Sequence, residues 1–461
     1  MDTDIHWLGA CELGRRIHAG ELTSLEATDA QLRRIETLDP DLHAFATVLG
    51  DQARAAAGRS DEELRTGRSR GPLHGVPIAV KELCAVRGVA TGAGTRVLRD
   101  RIAERDACVV ERLRNSGAVI LGTTAMTEGA YAEHHPDIEP PRNPWARDRW
   151  PGISSSGSGV ATASGLCFAS NGTDTGGSIR MPSAANGLVG IKPTYGRVPR
   201  HGIFPLSDSL DHVGPIARTV TDAAAMLTAM AGHDPRDPTS LTDEVPDIPT
   251  SLDSGVRGLR IGIDEEFACE AMDAEIVDPI LQCRRVFEEA GARIVPVRLP
   301  PWREAVFSWA PICAAECALA HEGLFPEHAQ DYGEQLSRLI EAGRMLSGVE
   351  LARSMQVRAA FCGGLAELFT TVDLLLCPSL GVALPPAVPD FDDPLLATRL
   401  TRFTAPFNLS GSPTISLPCD FDKDGLPLSL QLVARHLEES TLCRAGRQFE
   451  RITEWHHHPN V

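Results

Sequence analysis

A glycine-rich segment contains the first residues that could do chemistry. Residues 172–180 read Gly-Thr-Asp-Thr-Gly-Gly-Ser-Ile-Arg, with two glycines directly before Ser178. Such glycines let the backbone bend sharply and bring successive N–H groups close to a ligand, where they can hold an oxyanion. The segment could therefore supply a hydroxyl nucleophile and the donors that stabilise the charge its attack creates. A purely structural turn has the same composition.

A second glycine- and serine-rich segment lies upstream, at residues 152–159, and contains Ser154. A loop of this kind could hold a phosphate group. However, Ser158 stands where a P-loop needs its lysine, and Thr162 stands where a dinucleotide-binding fingerprint has its third glycine. The segment therefore gives little support to nucleotide binding.

A hydroxyl nucleophile also needs a base, and the sequence offers two kinds. Lys81 ends the apolar, strand-like run of residues 75–81, which would bury most of its stem. Burial favours the neutral amine and so suits a lysine base, whereas a lysine that reaches the surface would stay charged. The other candidates are histidines, none of them in a Gly-x-Ser-x-Gly context: His74, His134, His135, His201 and His212.

Taken together, these segments resemble the signature motifs of the amidase signature family. Residues 71–82 are similar to its lysine motif, and the two serine segments are similar to its Gly/Ser-rich signature, with Ser154 and Ser178 at the family's separation of 24 residues. The similarity continues through four further segments and covers most of the chain outside residues 232–370: 190–197, 209–215, 405–411 and 425–431.

The resemblance implies a Ser-Ser-Lys serine hydrolase that cleaves amide C–N bonds through an acyl-enzyme, without a metal or an organic cofactor. Lys81 matches the base, Ser154 the bridging serine, which in the family follows a cis peptide bond, and Ser178 the nucleophile. The other implied roles are an oxyanion hole of backbone N–H groups and a set of supporting side chains: Thr175, Gly176, Gly177 and Ser178 for the hole, and Asp174, Arg180 and Ser155 for support.

The resemblance leaves three functions open. The first is a stand-alone amidase that acts on small hydrophobic amides, anilides, esters or carbamates (urethanes). The second is the A subunit of a tRNA-dependent amidotransferase, which releases ammonia from glutamine and needs a partner. The third is a non-catalytic scaffold, which the intact lysine and serines disfavour. Ile153 and Ser156 replace glycines of the usual pattern and Glu82 replaces an aspartate; the altered loop favours the first function over the second.

The strands and helices predicted around these residues, together with the resemblance, indicate an α/β fold with a mixed, twisted central β-sheet flanked by α-helices. Thr23 and Glu26 have capping-box spacing for a helix that ends near Thr37, before Pro40. Asp106 could cap a second helix. Further predicted elements are strands at 118–122, 259–263, 292–297, 374–377, 413–418 and 428–433, and helices at 219–230, 271–290 and over most of 302–370.

The domain organisation is predicted as a single amidase signature domain over 1–461. It comprises an N-terminal helical region at 1–70, a catalytic core at 71–220 and a variable, partly helical substrate-pocket region at 232–370. Four aromatic residues of the variable region could favour hydrophobic or aromatic substrate groups, or could simply pack its helices: Trp302, Phe307, Trp309 and Phe325.

Composition narrows the possible partners. A net charge of −18 argues against binding to nucleic acid or an anionic membrane, because phosphate binding needs clustered Lys and Arg. Residues 1–6 contain two aspartates where a signal peptide would have basic and then apolar residues, so a cytoplasmic location is expected.

The spacing of Cys313 and Cys317 is the one in this sequence that is most similar to that of a metal-binding pair. Both cysteines are nevertheless predicted to be buried small hydrophobic residues. The expected partner is a small-molecule substrate, and a homodimer is one expected assembly.

Overall fold

The computed structural model describes residues 5–270, 272, 274–453, 455 and 457–461. Its described strands form one sheet in the order β1-β3-β2-β4-β6-β5-β10-β11-β9-β7-β8. In chain order they are β1 Phe45–Val48, β2 Pro77–Lys81, β3 Val119–Thr124, β4 Ala169–Asp174, β5 Val189–Lys192, β6 His212–Ala217, β7 Arg260–Ile263, β8 Arg293–Pro296, β9 Leu374–Pro378, β10 Thr414–Phe421 and β11 Pro427–Ala434.

The sheet is mixed, as predicted. Strand β2 runs parallel to β3 and β4, and β7 runs parallel to β8 and β9, whereas the remaining pairs are antiparallel. Every residue of β2, β3, β4 and β6 is buried. This continuous burial is typical of strands covered on both faces of a sheet.

The helices that flank the sheet are numbered in chain order. They are α1 Ala10–His18, α2 Ser24–Leu42, α3 Gly50–Arg65, α4 Cys108–Asn115, α5 Ser156–Ala163, α6 Arg180–Ala185, α7 Val220–Met230, α8 Ile248–Ser251, α9 Glu265–Cys269, α10 Ala274–Glu289, α11 Trp302–Ala320, α12 Glu334–Met345, α13 Gly348–Leu368, α14 Pro394–Thr401, α15 Ala405–Leu409 and α16 Glu439–Ile452. No helix in the described ranges is long and apolar enough to cross a membrane.

The first long helix begins where the sequence predicts but ends later. Thr23 and Glu26 form the predicted capping box of α2. The helix then continues through Pro40 to Leu42, because a proline in the last turn removes only one hydrogen bond. The helix ends at His43, which has a left-handed φ of 53°. The prediction that it ends near Thr37 was therefore wrong.

Helix α4 lacks the predicted cap. It begins after Ala107 with no side-chain cap, and the Asp106 carboxylate instead accepts a hydrogen bond from the Arg87 N–H at 2.7 Å. The βαβ prediction is confirmed, since β7 and β8 are parallel and the connection between them contains α10, after the short helix α9. The predicted first residue of that helix, Ala271, lies outside the described residues.

Candidate active site

The three predicted catalytic side chains reach one place from three separate segments. Lys81 is the last residue of β2, Ser154 lies in the loop before α5, and Ser178 lies in the loop between β4 and α6. Since β2 and β4 are adjacent parallel strands, their carboxyl ends lie at the same edge of the sheet. Loops at such an edge commonly form sites in α/β proteins.

Lys81 is completely buried and faces hydroxyl groups. Its Nζ lies 2.7 Å from Ser154 Oγ and 2.8 Å from Thr173 Oγ1. Burial lowers the pKa of Lys81 to about 7, although nearby acidic groups such as Asp211 partly oppose the shift. A neutral amine can donate to Thr173 and accept the proton of Ser154 at the same time. The side chain is thus placed to act as a base towards Ser154.

The loop that carries Ser154 is closely anchored. The peptide bond between Ile153 and Ser154 is cis, as the resemblance implies. The next residue, Ser155, joins the loop to β4, because its Oγ donates to the Thr173 carbonyl and accepts from the Thr173 N–H, both at 3.3 Å. Ser155 therefore supports the loop through the same residue that contacts Lys81.

The two glycine replacements in this loop fall where a side chain fits. Neither Ile153 nor Ser156 has a positive φ; among residues 152–156 that conformation belongs to Gly152 alone, at 81°. A Cβ on Gly152 would lie 2.5 Å from the Pro182 Cα, so glycine is required there. Ser156 is the first residue of α5, and its Oγ lies 3.0 Å from His134 Nε2. The substitutions change the lining of the loop without straining its backbone.

Ser178 lies on the wall of a cavity. Its side chain is 9% exposed, and its Oγ makes no hydrogen bond with another described residue. The structure thus forms the Lys81–Ser154 contact and leaves the Ser178 hydroxyl facing the space where a substrate would bind. Hydrogen bonds between catalytic groups often form only when substrate is bound.

The expected oxyanion hole needs one correction. The Gly177 N–H donates to the Asp174 carboxylate at 2.9 Å, so it is already engaged. The N–H groups of Thr175, Gly176 and Ser178 have no hydrogen-bond partner within the described residues and are the remaining candidates. Gly177 instead serves the turn: its φ is 138°, and a Cβ there would lie 2.5 Å from the Met181 Cε.

Asp174 and Arg180 form a completely buried ion pair beneath the loop. The guanidinium contacts both carboxylate oxygens, at 2.8 and 3.0 Å. Burial alone would raise the pKa of Asp174, but the charge and hydrogen bonds of Arg180, together with Lys192 and Asn408, outweigh burial and hold that pKa well below its usual range. The carboxylate also accepts from the N–H groups of Gly177 and Ile179. The pair therefore shapes the turn that presents Ser178.

Two further side chains complete the surroundings of Arg180, and the sequence analysis assigned them no role. Gln431 accepts from Arg180 at 2.9 Å, and Asn408 both accepts from Arg180 and donates to the Asp174 carboxylate. Both lie in the C-terminal segments that carry the family resemblance. A buried amide within an apolar stretch was the available signal, because such a group needs hydrogen-bond partners.

Asp211 holds the start of the same loop. Its carboxylate accepts from Thr175 Oγ1 at 2.6 Å and from the N–H groups of Leu206 and Ser207. Burial raises the pKa of Asp211 to about 6. This residue lies in the 209–215 segment of the resemblance, but the sequence did not reveal its contact with Thr175.

The cavity at Ser178 has a volume of about 250 Å³ and mostly apolar walls. They come from the 130–132 segment, α11 and α14, together with Ile153, Met181 and Leu206. Its polar lining groups are neutral hydroxyl, amide and backbone groups, and no charged side chain is among the described lining residues. The cavity therefore suits an uncharged, largely apolar group.

Of the four aromatic residues of the variable region, two line the cavity and two pack in the protein core. Phe307, which is 67% exposed, and Trp309 line the cavity. Trp302 is buried against the ring of Phe267, and Phe325 packs against Tyr332. The expectation of an aromatic pocket thus applies to two of them. Cys313 and Cys317 are both buried in the core.

Three of the candidate histidines have other partners. His134 contacts Ser156, His212 Nδ1 lies 2.6 Å from the Leu210 carbonyl, and His74 lies 3.3 Å from Glu63. No described histidine makes a hydrogen bond to Ser178. The geometry favours Lys81 as the base.

Comparison with known proteins identifies the family. The Amidase family model matches residues 26–443. The chain is 43% identical to "Putative amidase AmiD" of Mycobacterium tuberculosis over 99% of this chain and 96% of the relative. It is 38% identical to the A subunit of the glutamyl-tRNA(Gln) amidotransferase of Chloroflexus aurantiacus, over 98% of each chain. Its fold is similar to that of a bacterial aryl acylamidase of the amidase signature family, with a TM-score of 0.88, 28% identity and 97% coverage of both chains. The chain therefore belongs to the amidase signature family.

Proposed function

We propose that this protein is a stand-alone serine amidase that hydrolyses the C–N bond of small, uncharged, hydrophobic amides. The observation that carries the proposal is the 2.7 Å contact between the buried Lys81 Nζ and Ser154 Oγ, close to the cavity that Ser178 lines. Anilides, esters and carbamates present the same carbonyl chemistry to a serine nucleophile and are included in the proposed substrate class.

The mechanism transfers the acyl group to Ser178. Neutral Lys81 takes the proton of Ser154 while Ser154 Oγ takes the proton of Ser178, whose oxygen attacks the carbonyl carbon. The N–H groups of Thr175, Gly176 and Ser178 stabilise the oxyanion. The proton returns through Ser154 to the leaving nitrogen as the C–N bond breaks. Water then attacks the acyl-enzyme by the same relay and releases the acid.

The cavity supports the choice of an uncharged substrate. A charged group that enters it would lose its hydration and would find no charged partner among the described lining residues. Burial of an unpaired charge is strongly unfavourable. The apolar walls, including the indole of Trp309, would instead gain contact with an aryl or alkyl group.

A second candidate is the glutaminase component of a tRNA-dependent amidotransferase. It is favoured by the 38% identity to relatives of that name. Glutamine, however, has an ammonium and a carboxylate group, and both would need charged or strongly polar partners. The uncharged lining of the cavity supports the stand-alone amidase over this alternative.

A substrate panel tests the proposal. Purified wild-type protein is assayed without partners against glutamine, a fatty amide, an anilide and an aryl carbamate, with Ser178→Ala as the control. We expect turnover of neutral substrates with an aryl or alkyl group, little release of ammonia from glutamine, and no turnover above background by Ser178→Ala. Preferred hydrolysis of glutamine, or wild-type rates in Ser178→Ala, would contradict the proposal.

A further inference from the structure

Trp309 connects the variable region to the loop that holds Ser178. It lies on α11, and its indole Nε1–H donates to the backbone carbonyl of Thr175 at 2.7 Å. The ring also covers Gly176, since a Cβ on that residue would lie 2.6 Å from Trp309 Cζ2. The residue thus contacts both halves of one peptide unit in the candidate oxyanion hole.

The hydrogen bond from Trp309 to the Thr175 carbonyl also orients the Gly176 N–H. The Thr175 carbonyl and the Gly176 N–H belong to the same planar peptide unit, and in a trans unit the two groups point in opposite directions. A donor that fixes the carbonyl therefore also fixes the direction of the N–H. Donation to the carbonyl also polarises the unit, which strengthens the N–H as a donor.

The neighbouring peptide unit is held by other groups. Thr404 Oγ1 donates to the Gly176 carbonyl, and the N–H at the other end of that unit, from Gly177, donates to Asp174. The Thr175–Gly176 unit differs, because Trp309 is the sole described donor to its carbonyl and its N–H has no partner within the described residues. The Gly176 N–H of this unit is therefore available to a substrate.

We infer that Trp309 is a positioning residue for the Gly176 N–H, which it aims and polarises as an oxyanion donor. The inference rests on the proposed function. It links the wall of the substrate cavity to the reacting centre, since Trp309 belongs to both. A substrate that shifts α11 would also misalign the oxyanion donor, so the fit of the substrate would affect the rate of the chemical step.

The test removes the indole N–H and keeps the ring. Trp309 is replaced by benzothienylalanine, in which sulfur takes the place of the N–H, and in parallel by Phe. Loss of a direct oxyanion donor lowers kcat by about 10²–10³-fold, so loss of the group that aims one is expected to lower it by about 5–30-fold. For benzothienylalanine we expect KM to stay within about twofold and the melting temperature to be unchanged.

A second readout separates positioning from packing. An aryl boronic acid forms a tetrahedral adduct with the serine, and its affinity should fall by the same factor as kcat, whereas the affinity of the neutral aniline product, which has no oxygen for the oxyanion hole, should not. Two control variants on α11 calibrate the result. Trp302→Phe alters a buried ring with no hydrogen bond to the loop and should leave kcat unchanged, and Phe307→Leu should change KM more than kcat.

The outcomes distinguish the inference from the proposed function. Unchanged kcat and boronate affinity in the benzothienylalanine variant, with an active wild type and an inactive Ser178→Ala, would overturn the inference alone. A wild type that hydrolyses none of the neutral substrates would overturn the proposed function and the inference with it. A parallel loss of kcat and boronate affinity at constant KM would support both.

Discussion

At the scale of single residues, the environment of Lys81 decides what the site can do. Its ammonium form would be completely buried, with neutral hydroxyl groups as its nearest partners. Burial therefore favours the neutral amine, and a lysine of this kind can serve as a base near neutral pH. The same side chain on the surface would stay protonated and could not accept the proton of Ser154.

The pH dependence of activity follows from the lowered pKa of Lys81. The base is present above that pKa and is lost as pH falls through it, so kcat/KM for a neutral anilide should rise with pH and level off above an apparent pKa of about 7. A pH–rate profile from acidic to mildly alkaline pH measures this. Lys81→Ala should lose most of the activity and the titration. A wild-type profile that is flat, or that falls as pH rises through neutrality, would contradict the assignment of the base.

At the scale of elements, the turn between β4 and α6 presents Ser178 and depends on charges buried beneath it. Asp174 ends β4 and Arg180 begins α6, so their ion pair joins the two elements across the turn. Hydrogen bonds from the backbone to the Asp174 carboxylate fix the same turn. Ser178, the proposed nucleophile, is thus held by the ends of two regular elements, which is more rigid than a loop alone.

Removal of the Asp174 charge should destabilise both the fold and the site. Asp174→Asn leaves Arg180 buried without its counter-ion, and such a change costs about 3–5 kcal/mol in the free energy of unfolding. Chemical denaturation measures the loss, and kcat should fall as well because the turn is no longer fixed. Asp41→Asn is the matched control: its exposed pairs with Arg142 and Arg147 should each contribute less than about 1 kcal/mol. An equal effect of the two substitutions would argue against this role for Asp174.

At the scale of the whole molecule, the main elements could be predicted from sequence because each has a local signal. Apolar runs indicated the buried strands, and the spacing of Thr23 and Glu26 indicated the start of α2. The end of α2 was missed because the local preference of Pro40 is overridden in the last turn of the helix. Asp106 was misassigned as a cap because its carboxylate binds an N–H of a sequence-distant loop, that of Arg87.

In the site, too, residues in local motifs could be predicted from sequence, whereas contacts between distant residues could not. Lys81, Ser154 and Ser178 lie in motifs, and their segments could be identified without coordinates. The engagement of the Gly177 N–H could not, because consecutive N–H groups in a turn differ only in direction. The hydrogen bond from Trp309 to Thr175 joins residues 134 positions apart, so no local pattern indicates it.

The central claim is that Ser178 is the nucleophile and that Lys81 activates it through Ser154. The most direct measurement is reaction of the purified protein with a fluorophosphonate probe, followed by peptide mass spectrometry. The account predicts one covalent adduct, on Ser178, that forms much more slowly in Lys81→Ala and is absent from Ser178→Ala. An adduct on Ser154 or another residue in the wild type, or amide turnover that persists in Ser178→Ala, would contradict it.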